Sequence, residues 1–231
     1  MGKKDYYNIK KNLDKVLMDR HTNFLDVGML KKVEEKLKGI KYNIFYPYNE
    51  CEKVIIYTSN LPKVSLLEII SDDKLTHRQI LGSLFALNID SGLFGDIIIF
   101  NDHYYVLIMD NIYDFIINEF NMVGPHFIKL KKVSFEVLND YKRGYEEINL
   151  IVSSIRIDNV ISKLILLSRT DVKRKFYNDE VIINYEICHK LNYNLCKYDI
   201  FSIRKYGKYK FMGIIKNTKK NNYIIKILKY I

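Results

Sequence analysis

Between residues 64 and 130 the apolar period changes repeatedly between two and about 3.6, and each change is marked by a turn or cap signal. Residues 64–70 read as a strand. Thr76 opens a helix, with Gln79 three residues on as in a capping box, and Ile80, Leu81, Leu84 and Leu87 share one side. Residues 96–100 and 104–109 are strands joined by a tight turn at Asn101-Asp102. Asp110 is expected to cap a helix through Asn121 with Ile112, Phe115, Ile116 and Phe120 inward. Gly124-Pro125 breaks the chain before a last strand over 126–130. The order β-α-β-β-α-β predicts a ferredoxin-like plait over 63–138 and an α+β fold class.

Many RNA-binding domains use such a plait and present aromatics from its central strands. Tyr104 and Tyr105 fall at those positions, but no RRM consensus accompanies them, and packing is their expected role. Residues 1–62 read as a small α/β region without a site of its own. Its helices are expected over 5–19 (Tyr6, Ile9, Leu13, Val16, Leu17) and 26–38 (Val27, Leu30, Val33, Leu37), with Gly39 as a stop. Its strands run over 42–46 and 54–58, closed by Pro47 and Pro62. Residues 139–150, charged and with little periodicity, read as a linker to a C-terminal domain over 151–231.

Charge separates the parts. The chain carries +10, yet residues 150–231 hold 17 Lys+Arg against 6 Asp+Glu, and residues 1–149 hold 20 against 21. A general preference for lysine would have charged both parts. A localised basic module points to a polyanion, either nucleic acid or an anionic membrane surface. Within it, Ile157, Val160, Ile161, Leu164 and Ile165 mark a helix buried along one side. Ser168 then caps a second helix, with Val172 and Phe176 inward and Arg169 and Lys173 four residues apart on one side. Free N–H groups beside cations suit phosphate, although a solvated basic helix has the same composition. Strands follow at 181–183, 200–204, 211–216 and 223–228. The segment 204–210, Arg-Lys-Tyr-Gly-Lys-Tyr-Lys, alternates cations with tyrosines. It reads either as a solvated hairpin tip or as cations for phosphates and rings for bases or riboses.

Four motifs in this third occur in a familiar order: Arg156-Ile157-Asp158, Ser168-Arg169-Thr170, Val181-Ile182-Ile183-Asn184 and Asp199-Ile200-Phe201-Ser202-Ile203-Arg204. They resemble the pattern R-L-D, S-R-S, V-x-V-N, G-D-x-I-x-V of the αL RNA-binding domain first named from small-subunit ribosomal protein S-four. With the extension Arg204 to Phe211, Thr76 to Leu84 and Gly95 to Ile98, the chain resembles the bacterial YlmH family. That resemblance implies an N-terminal α/β region, a central plait and a C-terminal S-four-type domain. It also implies a non-catalytic protein of ribosome-associated quality control. Its partners would be rRNA of the large subunit and tRNA, and it would act where a stalled subunit retains peptidyl-tRNA. Carried over, Arg156, Arg169, Thr170, Lys173 and Arg174 would meet RNA, with Arg204, Lys205, Lys208 and Lys210 as a second edge. Where the family has glycine, this chain has Asp179, Tyr185 and Tyr198. A left-handed turn at Asn178 or Asp179 is still accessible to those residue types.

Other classes fit less well. An RNA-modifying enzyme, of pseudouridine synthase or methyltransferase type and targeted by the basic domain, is the alternative. No phosphate-binding glycine motif supports it, and His77 reads as a helix-start surface residue. Asp90 and Asp96, near Gly92 and Gly95, fit turn chemistry as well as a site. Cys51, Cys188 and Cys196 lack paired spacing, so reduced thiols, no metal and no cofactor are expected. No apolar run reaches a membrane span, the helix near 156–167 is a poor membrane-surface helix, and the N-terminal stretch is not a secretory signal. A cytoplasmic monomer is expected.

Overall fold

In the computed structural model, which describes residues 3–18 and 21–231 with side chains from Tyr7, the chain divides into two units, 1–142 and 143–231. The first unit begins with α1 (Lys3–Met18) and α2 (Val27–Lys36), followed by the hairpin β1 (Asn43–Phe45) and β2 (Ile55–Tyr57). Residue 19, expected to end the first helix, and the side chain of Tyr6 lie outside the described residues. Asp26 caps α2 by accepting from the Met29 N–H at 2.8 Å. Val16, Val33, Leu37 and Ile56 form a small core of this region.

The plait follows as β3 (Val64–Ile70), α3 (His77–Ala86), β4 (Phe94–Phe100), β5 (His103–Met109), α4 (Tyr113–Glu119), a short hairpin β6 (Met122–Val123) and β7 (His126–Phe127), and β8 (Lys129–Val133). The sheet order is β4-β5-β3-β8, with every neighbouring pair antiparallel, as the ferredoxin-like topology requires. Thr76 and Gln79 form the full capping box of α3. Asp110 does not cap α4. It lies in a 3-10 turn over Asp110–Ile112 that precedes the helix, and its carboxylate accepts from the Ser65 hydroxyl. A cross-strand partner on β3 takes the oxygen that a cap would have used.

Both faces of this sheet are covered. α3 and α4 bury Leu67, Ile69, Tyr104, Val106 and Ile108 on one side. On the other, Leu66, Ile98, Tyr105 and Leu107 pack with Phe24 and Ile55 from the N-terminal region and with Leu138 and Tyr141 from the segment after β8. Gly95 lets the Phe24 ring lie against the sheet: a Cβ there would stand 2.9 Å from the ring and 2.8 Å from the Leu107 Cβ.

The second unit contains β9 (Tyr145–Val152), α5 (Ile157–Leu164), α6 (Arg169–Tyr177), β10 (Val181–Ile183), β11 (Glu186–Ile187), β12 (Ile200–Ile203), β13 (Gly207–Asn217) and β14 (Tyr223–Tyr230). Its sheet runs β11-β10-β12-β13-β14-β9, antiparallel throughout. The expected linker over 139–150 is therefore corrected, because residues 145–150 belong to β9. Ile148, Leu150 and Val152 alternate inward. The acidic start that obscured this period is matched across the ladder, with Lys229 to Glu146 at 3.0 Å and Lys226 to Glu147 at 2.6 Å. The α5–α6 pair covers the inner face through Ile157, Val160, Ile161, Val172 and Phe176.

Candidate nucleic-acid interface

The division at residue 142 sharpens the charge asymmetry. Residues 143–231 carry 18 Lys+Arg and 8 Asp+Glu, net +10, while residues 1–142 carry 19 of each. The whole formal surplus belongs to the second unit.

Three of the expected cations meet in one place. Arg156 is the N-cap residue of α5, and the Ile157 N–H next to it is held by the Tyr193 carbonyl at 2.8 Å. Ser168 caps α6 by accepting from the Asp171 N–H at 3.2 Å, which fixes Arg169 as the first helical residue and Lys173 one turn on. Arg156, Arg169 and Lys173 line a cleft of about 280 Å³ with Ser153, Ser154 and Asn159. The Asn159 amide donates to the Ser154 carbonyl at 2.9 Å and ties the end of β9 to α5. Asp158, also in the cleft wall, holds the Arg156 guanidinium at 2.7 Å and raises its pKa further. Arg169 and Lys173 are exposed. The arrangement offers ammonium and guanidinium groups, hydroxyls and an amide, which are the donors phosphate oxygens use.

Arg204, Lys205 and Lys208 line a second, shallower concavity of about 670 Å³ beside Ile182, Ser202 and Tyr206, with Asp179 and Glu180 on its rim. Glu180 is held by Lys175 at 2.5 Å, which lowers its pKa. The remaining expected residues join neither hollow. Thr170 is exposed in the first turn of α6, Arg174 pairs with Asp171 at 3.3 Å, and Lys210 packs over the Tyr198 ring at 5.6 Å. The carboxylates paired with Arg156, Arg174 and Lys175 are local, two to five residues away in sequence.

The tyrosines of the 204–210 segment divide. Tyr206 is exposed in the hairpin loop, whereas Tyr209 is buried and stacked on Phe201 at 5.3 Å. On β13 Tyr209 faces the core, so its ring is unavailable to a ligand. The sequence reading missed Ser153, Ser154 and Asn159. A polar Ser-Ser before the Arg-Ile-Asp motif was the one available signal.

Asp179, Tyr185 and Tyr198, which stand where the resembled motif pattern has glycine, all have left-handed backbone, at φ 56°, 68° and 73°. For tyrosine that conformation costs roughly 1–2 kcal/mol per residue. It is held by the anchor at Asp199, which is buried and accepts from the Asn184 amide at 2.8 Å, the Cys196 N–H at 2.8 Å and the Tyr193 hydroxyl at 2.9 Å. Burial, and then the bond to Asp199, push the Tyr193 hydroxyl well above the usual phenol range.

In the first unit Tyr104 and Tyr105 are both buried, and the Leu75 N–H donates to the Tyr104 hydroxyl at 2.9 Å. Neither tyrosine is therefore available on a sheet face to RNA. His77 is an exposed first-turn residue of α3. Asp90 and Asp96 have structural partners: the Gly92 N–H and Lys11 for Asp90, Tyr48 and the Glu52 N–H for Asp96. Among the described residues no three His, Cys, Asp or Glu side chains group as metal ligands, and no helix is long and apolar enough to cross a membrane.

Comparison with known proteins gives three results. Residues 63–137 match the family described as "Putative RNA-binding domain in YlmH". The chain is 26% identical over 147 residues to "Ribosome-associated protein quality control protein P2" of Bacillus subtilis (strain 168), covering 64% of this chain and 57% of that protein. The chain thus spans little more than half the length of that relative. Among solved structures, "Cell division protein ylmH from Streptococcus pneumoniae" aligns with a TM-score of 0.47 at 21% identity, over 61% of this chain and 97% of that one.

Proposed function

We propose, for a chain that carries the YlmH-type RNA-binding domain and is related to a ribosome-associated quality control protein, that it is a non-catalytic RNA-binding protein of the large ribosomal subunit. In this reading the second unit grips rRNA and tRNA, and the protein acts where a stalled subunit retains peptidyl-tRNA. Arg156, Arg169 and Lys173 hold backbone phosphates in the cleft, while Arg204, Lys205, Lys208 and Lys210 form a second edge. Thr170 and Arg174, on the same helix but outside the cleft, meet RNA only peripherally.

The observation that carries it is the confinement of the +10 charge to residues 143–231, with three cations converging on one cleft. A polyanion with regularly spaced phosphates neutralises such a surface and releases its counterions. The plait is the region matched as an RNA-binding domain, yet its sheet faces are occupied, so any RNA it touches meets its edges, loops or helices.

Co-sedimentation with purified large subunits, with and without retained peptidyl-tRNA, tests the proposal. The wild-type chain is expected in the ribosomal pellet, enriched on the peptidyl-tRNA complex, and the Arg169→Ala/Lys173→Ala variant in the supernatant. Equal pelleting of the two proteins would show that the cleft is not the binding face.

A further inference from the structure

We infer that the concavity beside the β12–β13 hairpin is a site for one unpaired nucleotide, with the Tyr206 ring as its stacking platform; this rests on the RNA reading above and specifies what the second edge recognises. Ile187, Ile182, Ser202 and Lys208 lie in register across β11, β10, β12 and β13, and the core-facing residues Val181, Ile183 and Ile203 alternate with them. They therefore occupy the outer face of the sheet. The floor of the hollow is largely apolar, with Ile182 half-buried and Ile187 half exposed beside it.

Tyr206 is held in place. Its N–H donates to the Ile203 carbonyl at 2.9 Å, and its own carbonyl accepts from the buried Tyr209 hydroxyl at 2.9 Å. The Lys175 ammonium sits 5.3 Å from the ring centroid. Tyr206 is 38% exposed, so this anchored aromatic residue is open to solvent. Arg204 and Lys205 project from the same three-residue loop, which turns through Lys205 at φ 74° and enters β13 through Gly207 at φ 124°. Among the described residues neither cation forms a close ion pair; Glu180, which with Asp179 also lines the hollow, is held by Lys175 and attracts Arg204 at longer range. Lys208, also in the lining, donates to the Tyr185 hydroxyl at 3.1 Å and lies 4.7 Å from the Tyr230 ring.

A ring face, an apolar floor and flanking cations together match a base with the phosphates on either side of it. A paired base cannot present its face, because its neighbours in the helix cover it. The ligand class is thus a bulged, looped or single-stranded nucleotide. The alternation of charge and ring within one fixed hairpin distinguishes this hollow from the α5–α6 cleft, which has polar donors and no exposed aromatic among its lining residues.

The test uses the full chain and two RNA hairpins that differ at one position. One carries a single bulged 2-aminopurine nucleotide, and the other carries an abasic bulge in its place. The base-bearing hairpin is expected to bind roughly tenfold tighter or more, with quenching of the 2-aminopurine fluorescence, as ring stacking on an unpaired base provides. Tyr206→Ala should remove both the preference and the quench, leave affinity for the abasic hairpin within about twofold, and be rescued by Tyr206→Phe. Equal binding of the two hairpins by the wild type, or a preference that survives Tyr206→Ala, would overturn the nucleotide site and leave the RNA reading intact. Failure to bind either hairpin would overturn that reading itself. Loss of the base preference on adding an acidic, aromatic-rich peptide, with abasic-hairpin binding unchanged, would assign the hollow to a protein partner instead.

Discussion

Removing Arg169 and Lys173 together should change how RNA affinity responds to salt, and the structure fixes by how much. Both side chains are exposed on one turn of α6 and line the cleft, and among the described residues neither has an ion-pair partner. Each is thus able to replace a counterion on one phosphate. Each such contact contributes about 0.9 to the slope of log K against log salt, so the double alanine variant should be shallower by about 1.8. Between about 50 and about 200 mM salt, wild-type affinity should fall roughly tenfold more than that of the variant. Arg174 is the internal control, because its guanidinium already has the Asp171 carboxylate at 3.3 Å, and Arg174→Ala should move the slope by well under one contact. Fluorescence anisotropy on a fixed RNA hairpin at five salt concentrations measures all three slopes. Surface substitutions of this kind leave stability within about 0.5 kcal/mol, so melting curves should coincide. An unchanged slope for the double variant, or an equal loss from Arg174→Ala, would refute the assignment of phosphates to this cleft.

Three further substitutions probe the scaffold. Asp199→Ala strands the Tyr193 hydroxyl, the Asn184 amide and the Cys196 N–H, and should cost roughly 3 kcal/mol in urea denaturation of the second unit, with Asp199→Asn costing less. Gly95→Ala drives a methyl group into Phe24 and Leu107, and a loss of about 1–3 kcal/mol together with faster amide exchange around residues 22–25 is expected. Burial raises the Asp90 carboxyl, but the Lys11 ammonium and the Gly92 N–H outweigh it and hold the group below the usual carboxylate range. A depressed carboxylate contributes stability above its unfolded pKa of about 3.9 and loses it as the pH falls through the folded value. The stability difference between wild type and Asp90→Asn should therefore shrink below about pH 4, and urea midpoints across that range measure it.

The plait was legible because its signals are local. Thr76 and Gln79 cap α3 from within one turn, and the strand periods need only a few residues to declare themselves. Asp110 misled for the complementary reason: the partner that claims its carboxylate, Ser65, lies 45 residues away. The β9 strand was obscured in the same way, because Glu146 and Glu147 look like linker residues until Lys229 and Lys226 of β14 reach them across the ladder. The aromatic positions of the plait could be placed on strands but not on a free or covered face, since covering depends on Phe24 and Ile55 from another part of the chain.

The candidate site divides along the same line. Net charge is additive over a segment, so the basic unit could be found without knowing where any side chain points. Spacing then paired Arg169 with Lys173, because a helix determines that relation by itself. Arg156 joins them only because β9 and α5 meet at Asn159, and Thr170 and Arg174, from the same motif and helix, turn elsewhere. The left-handed tyrosines show most directly what sequence type cannot fix. Tyrosine is a poor choice for a left-handed backbone, yet Tyr185 and Tyr198 adopt it. The turns are set by the buried Asp199 network and by strand pairing, whose combined stabilisation exceeds a cost of roughly 1–2 kcal/mol per residue. Because that strain leaves both rings exposed beside lysines rather than buried, it adds nothing to the core. Its effect is to widen the aromatic and cationic surface of the unit that carries the charge.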